Sequence, residues 1–304
     1  MQNLELFLEK FNKILWGNWL VFVLLGLGIL YSIATGFVQV RHFKFIIHNT
    51  LVKSFKERNI EKREGSLSTF QAMMVTLAGN IGGGNVVGVA TAIVAGGYGA
   101  IFWMWLAAFF GMALKYGEIV LSQIYRGEDE DGNILSGPMY YIRDGLKAPA
   151  LGIVIAVLMT IKMMGANLVQ SNTIATILAD NFKVNNLLTG IILTILLFMI
   201  AIGGLKRLAK VATSLVPIMS ILYVVLCLLV IIVNIKNVPL VFKAIFDGAF
   251  SFKAAAGGVG GLVIARAMQY GIARGMYSNE AGEGTAPFAH GTAIVDHPVE
   301  EGIT

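Results

Sequence analysis

Three consecutive glycines, Gly82, Gly83 and Gly84, lie between Asn80 and Asn85 in the middle of an otherwise apolar run from Thr69 to Ala95. Inside a helix, glycine costs about 1 kcal/mol relative to alanine, and it adopts extended or left-handed backbone without a side-chain penalty. The spacing therefore predicts an interrupted helix. A half-helix starting near Gly84–Asn85 would present unbonded N–H groups and a positive dipole end, which suit an anion such as a carboxylate. The half-helix before it, ending near Ala78–Ile81, would present carbonyls that suit a sodium ion. One unwound stretch could thus hold an anion and a cation together. Gly84 and Gly88 also form a G-x-x-x-G packing pair, but close packing asks for small residues four apart rather than three in a row. The resemblance of Gly82-x-Gly84 to a dinucleotide loop fails, because that loop needs a preceding strand and a soluble βαβ unit.

A second cluster runs from Arg274 to Pro287. Gly275, Gly282, Gly284 and Pro287 disfavour a continuous helix across it. Ser278 and Asn279 offer acceptors for an ammonium group. Glu280 and Glu283 are expensive in a bilayer unless paired or lining water, and Arg266 and Arg274 are their candidate partners. The same punctuation also describes a helix end and a solvated loop, with Asp296-His297-Pro298 following soon after.

The third cluster, Gly165 to Thr173, places Asn167, Gln170 and Ser171 three and four residues apart on one helix face. That face should point inward, either as inter-helix hydrogen-bonding glue or as ligand contact. Lys115 and Glu118 are spaced to pair with each other at i, i+3, a structural role; Lys162 is a further charge in an apolar run.

Catalytic patterns are absent. The histidines His42, His48, His290 and His297 lack metal-ligand spacing, and no nucleophile elbow or Walker loop occurs. An enzyme is therefore disfavoured and no cofactor is expected.

The elements that must position these clusters are membrane spans. Of 304 residues, 56% are hydrophobic and 13% charged, with a mean hydropathy of +0.74. Soluble domains carry about a quarter charged residues. The net charge of +5 sits in short segments between apolar runs, where orientation in the bilayer explains it better than nucleic acid does. The single cysteine, Cys227, lies inside an apolar run and has no partner for a disulfide within the chain.

Seven embedded segments are expected, near Trp19–Val40, Thr69–Ala95, Ala100–Tyr125, Leu151–Leu178, Leu187–Ile202, Val211–Ile235 and, with interruptions, Ala254–Val295. Met1 to Lys13 reads as a short amphipathic interfacial helix, with no cleavable leader. Arg41–Ser66 reads as a basic linker that meets anionic lipid head groups, and Gly127–Asp144 as a polar loop. Alternating sides from an outside N-terminus puts thirteen basic residues inside and six outside, which favours that orientation. Segments two and seven are the ones peppered with polar and glycine residues, and irregular backbone at membrane depth is tolerated only where it lines a protein cavity.

These residues resemble the alanine or glycine:cation symporter family. The resemblance is carried by Phe70-Gln71-Ala72, Gly82 through Ile93, Gly99 through Trp105, Gly111-Met112-Ala113, Lys115-Tyr116, Gly137 through Ile142, Val169-Gln170, and Gly271 through Gly282 with Ala286-Pro287. It implies an all-α polytopic fold of two inverted five-helix repeats, with broken first and sixth core helices and an extra helix before the core. Residues 1–68 would then hold the amphipathic segment, the extra helix and a basic cytoplasmic linker, and residues 69–304 the transporter core. By the same resemblance, Gly82, Gly83, Gly84 and Asn85 meet a substrate carboxylate, with Thr76 and Asn80 beside it. Gln170 lines the pocket; Tyr277, Ser278 and Asn279 face the amino group and side chain; the Ala78 and Ile81 carbonyls ligate sodium.

The implied activity is symport of a small neutral amino acid, alanine or glycine, with sodium as coupling ion and the proton as its alternative, across the cell membrane by alternating access. A channel or a non-transporting receptor subunit is the alternative. Gly83 stands where the family usually has threonine, which removes one hydroxyl contact, and Ser136 replaces a common glycine. The family continues past the position of Thr304, so a C-terminally truncated chain is expected.

Overall fold

The computed structural model describes residues 6–7, 10–11, 14, 17–53, 56, 66–250 and 260–304. The expected N-terminal interfacial helix, most of the second half of the basic linker and the start of segment seven fall largely outside the described residues. What is described is almost wholly helical. The helices are α1 (Asn18–Ala34), α2 (Val38–Arg41), α3 (Phe43–Ile47) with a π-helical turn at His48–Lys53, α4 (Thr69–Asn80), α5 (Gly83–Gly96) and α6 (Gly99–Ile124). They continue as α7 (Pro138–Tyr140) with a π-helical turn at Tyr141–Gly145, α8 (Pro149–Phe182), α9 (Asn186–Ala201) and α10 (Gly204–Val233). The series closes with α11 (Val238–Phe250), α12 (Gly260–Asn279), α13 (Ala286–His290) and α14 (Pro298–Ile303).

Three of these, α6, α8 and α10, are long and apolar enough to cross a membrane, and α10 reaches a mean hydropathy of 3.0. Shorter apolar helices span Trp19–Ala34, Val87–Gly96 and Asn186–Ala201. Large aliphatic side chains along α8, α9 and α10 are exposed, as lipid-facing surfaces are.

Several boundaries differ from the sequence expectation, each for a local reason. Segment one stops at Ala34 because Gly36 and Phe37 take left-handed backbone, with φ of 63° and 52°. The bend is held by Ser32, whose hydroxyl donates to the Gly28 carbonyl and accepts from the Gln39 amide at 2.9 Å. Part of the basic linker, residues 43–53, is helical rather than loop, with Asn49 buried. The polar loop contains a two-stranded hairpin, β1 (Gly127–Glu128) and β2 (Ile134–Leu135). Its turn closes on Asp129, which accepts from the backbone N–H of Asp131 and Asn133 and from the Asn133 side-chain amide. That side-chain bond is the main reason the Asp129 carboxyl is held below the usual carboxylate range. Helix α11 had no counterpart among the seven expected segments.

The chain divides into two compact units. The first comprises Met1–Phe43, Gly84–Gly117 and Leu226–Glu283, and its core gathers Val21, Ala107, Leu114, Ile272, Met276 and Ala281. Within it α12 packs on α1 and α11. Gly275 was expected to interrupt the helix; instead it lies buried inside α12, where an added Cβ would stand 3.0 Å from the Ala107 Cβ and 3.1 Å from the Met104 backbone. Gly271 makes the same kind of close approach to the Ala100 carbonyl and Trp103. These glycines serve packing.

The second unit comprises Lys44–Gly83, Glu118–Val225 and Gly284–Thr304. One core cluster joins Leu67, Ala72, Ala209, Ala289 and Ala293; another joins Phe70, Met73, Met74, Ala212 and Val216. Here α4 packs against α13, and α8 against α9.

Candidate functional site

Segment two is interrupted where the glycines stand. Helix α4 begins with a capping box: the Ser68 hydroxyl accepts from the Gln71 N–H at 3.2 Å, and the Gln71 side chain accepts from the Ser68 N–H at 2.9 Å. It ends at Asn80. Ile81 then turns extended (φ −82°, ψ 90°), its N–H still reaching the Leu77 carbonyl at 2.8 Å. Helix α5 starts anew at Gly83, one residue earlier than the sequence suggested. Two helix ends are therefore present, one with final-turn carbonyls and one with first-turn N–H groups.

In the second unit, Gly82 lies against the side-chain amide of Gln170, which α8 supplies. A side chain at residue 82 would overlap that amide. The sequence-derived residues Gly82 and Gln170 are thus brought together. Thr76, Ile81, Asn80 and Gln170 are half-buried, and Ala78 is exposed. Asn167, expected to share the inward face with Gln170, is exposed, whereas Ser171 is half-buried; Asn167 differs in its position along the helix, about 4.5 Å towards the start of α8 from Gln170.

In the first unit, Asn85 in the opening turn of α5 accepts a hydrogen bond from the Ser278 hydroxyl in the last turn of α12. Tyr277 and Asn279 share that last turn; Tyr277 is exposed, and Ser278 and Asn279 are half-buried. Helix α12 runs unbroken to Asn279, so the expected interruption falls later, at Glu280–Thr285. Positive φ at Glu280 (48°), Gly282 (82°) and Gly284 (72°) explains why the helix cannot continue.

Lys115 and Glu118, expected to pair with each other, each reach this second interruption. In the first unit the Lys115 ammonium donates to the Glu280 carbonyl at 3.0 Å, a cation at a helix C-terminus. In the second unit the Glu118 carboxylate accepts from the Gly284 N–H at 3.3 Å. Their charge inside an apolar run was the signal that could have found this role.

Over residues 1–304 the chain matches the model of the sodium:alanine symporter family. The chain belongs to that family. Among relatives, the sodium/alanine symporter AgcS of Methanococcus maripaludis is 40% identical over 299 residues, which is 96% of this chain and 64% of the relative. The uncharacterized transporter YflA of Bacillus subtilis is 39% identical over 303 residues, 100% of this chain and 64% of the relative. The probable sodium/glutamine symporter GlnT of the same species is 39% identical, over 96% of this chain and 59% of the relative. The chain thus spans about three fifths of the length of these symporter-family relatives. The family and these relatives are transporters, not enzymes.

Proposed function

We propose that this symporter-family chain carries the substrate and ion site of a secondary carrier that moves a small neutral amino acid, alanine or glycine, together with sodium by alternating access across the cell membrane. The observation that carries the reading is the interruption at Ile81–Gly82, flanked by a helix C-terminus and a helix N-terminus. In this reading the N–H groups of Gly82, Gly83, Gly84 and Asn85 take the carboxylate. The Ala78 and Ile81 carbonyls take sodium, with Thr76 and Asn80 beside them. Gln170, already against Gly82, lines the pocket. Tyr277, Ser278 and Asn279 face the amino group and side chain. Sodium here is cargo and driving ion, needing no dedicated carboxylate cage. The sequence-derived division into residues 1–68 and a core from residue 69 belongs to the same proposal. Relatives named for alanine and for glutamine frame the choice of substrates to compare.

The test is uptake of labelled alanine, glycine and glutamine into liposomes holding the full-length protein, with and without an inward sodium gradient. Saturable uptake that follows the gradient supports symport. Uptake indifferent to sodium and proton gradients alike would remove it, and unsaturable flux would favour a channel.

A further inference from the structure

Away from the interruptions, the second unit contains a polar cluster built on one buried carboxylate. Glu301, in α14, is 0% exposed. Its Oε2 accepts from the Thr69 hydroxyl at 2.7 Å, and its Oε1 lies 2.7 Å from Nδ1 of His290, itself 3% exposed. Thr69 is the first residue of α4, and His290 is the last of α13. A carboxylate this deep must be bonded or it destabilises the fold. The start of α4, 232 residues away, and the end of α13, 11 residues away, therefore converge on it.

The surroundings reinforce the junction. From the end of α6, the Gln123 side chain donates to the His290 and Ala293 carbonyls, and Arg126 donates to the Gly291 and Ala293 carbonyls at 3.2 and 2.7 Å. Next door, Lys53 pairs with Glu300 at 2.9 Å. Leu67 and Ala293 form a parallel backbone bridge, and Leu67, Ala72, Ala289 and Ala293 share one core. What this junction fixes is the first turn of α4, the helix whose other end is the interruption.

We propose that Glu301 is a positioning residue for the transport site. Its carboxylate clasps the first turn of α4 to α13 and α14, and through the rigid twelve-residue helix sets where the Leu77–Ile81 carbonyls and Gly82 stand. The inference rests on the transport reading given above. It assigns a role to a residue that contacts neither substrate nor ion.

The experiment compares the full-length protein with Glu301→Leu, Glu301→Gln, Thr69→Val and Thr69→Ser. It reads three quantities: amide hydrogen exchange across residues 69–82, sodium-dependent binding of L-alanine, and the thermal midpoint. Thr69→Val and Glu301→Leu are expected to speed exchange in 69–82 by about tenfold or more, the scale of a lost hydrogen bond to a charged group. Exchange across α8 should stay unchanged, and L-alanine affinity should fall in step. Thr69→Ser, which keeps the hydroxyl, should restore both. A lowered thermal midpoint with unaltered L-alanine affinity overturns the proposal, because a merely structural bond would do that. Should Glu301→Leu fail to fold, Thr69→Val and Glu301→Gln decide on the same criteria. Should the wild-type protein bind neither L-alanine nor glycine under any sodium condition, the transport reading falls, and unchanged exchange in Thr69→Val would overturn the clasp independently.

Discussion

The hydroxyl of Ser278 donates to the side-chain carbonyl of Asn85, joining the last turn of α12 to the first turn of α5 within one compact unit. The two residues are 193 positions apart in sequence. Both were singled out from their own local context, one beside a glycine triplet and the other beside a run of helix breakers.

That bond predicts a graded pair of phenotypes. Ser278→Ala removes one hydrogen bond and should weaken amino-acid binding by about 2- to 12-fold, the range of a net neutral bond. Asn85→Leu should abolish binding while expression stays near wild type. The measurement is equilibrium binding alongside the yield of folded protein, and equal loss of both would identify Asn85 as a packing residue.

Gly82 and Gln170 predict a coupled pair. Gly82→Ala would push the Gln170 amide from its place, so binding should be lost even though the added group is a single methyl. Combining it with Gln170→Ala should recover folded yield relative to Gly82→Ala alone, with a coupling of about 1 kcal/mol or more in a double-mutant cycle. Additive effects would show that the two positions do not meet.

Gly275 predicts a stability effect without a binding signature. A methyl there meets Ala107 and Met104 at close range, and overpacking of this kind costs about 1–3 kcal/mol. Gly275→Ala should therefore lower the thermal midpoint, and Gly275→Leu should lower it further. If residue 275 were a flexible point, Gly275→Ala would stabilise the helix instead.

The hairpin turn predicts a pH dependence. Asp129 is held below its ordinary carboxylate range chiefly by the Asn133 side chain. A depressed folded-state value means that the turn's added order is present above the unfolded value, about pH 4, and is lost as pH falls through the folded one. Amide exchange at Asp131 and Asn133, corrected for its intrinsic pH dependence, should accelerate over that interval. Asp129→Ala should show the accelerated rate already at neutral pH.

The first interruption was legible because a packing pair such as Gly84 and Gly88 accounts for one of the three successive glycines and not for Gly82 and Gly83. The second was legible only as a region. Gly275 and Gly282 carry the same residue type, yet one is buried in a helix against its neighbour and the other takes φ of 82°. The choice between close approach and left-handed backbone depends on what lies opposite, which a single sequence does not encode locally. Asn167 shows the complementary failure: periodicity placed it on the face of Gln170, but periodicity does not say how far along that face burial extends, and Asn167 is exposed. Glu301 gave no signal at all, since one of two adjacent glutamates in a short polar stretch reads as solvated surface.

The Thr69–Glu301 bond spans 232 residues, and this separation sets an order of events at the ribosome. Translation at about 5–20 residues per second leaves an interval on the order of ten to fifty seconds between the emergence of the two partners. Until Ala209, Ala212 and Val216 arrive to pack against it, the nascent α4 depends on its own Ser68–Gln71 capping box at its leading turn, and the bond to Glu301 comes later still. The first interrupted helix therefore gains its last tether only after the polypeptide beyond the second one has been made.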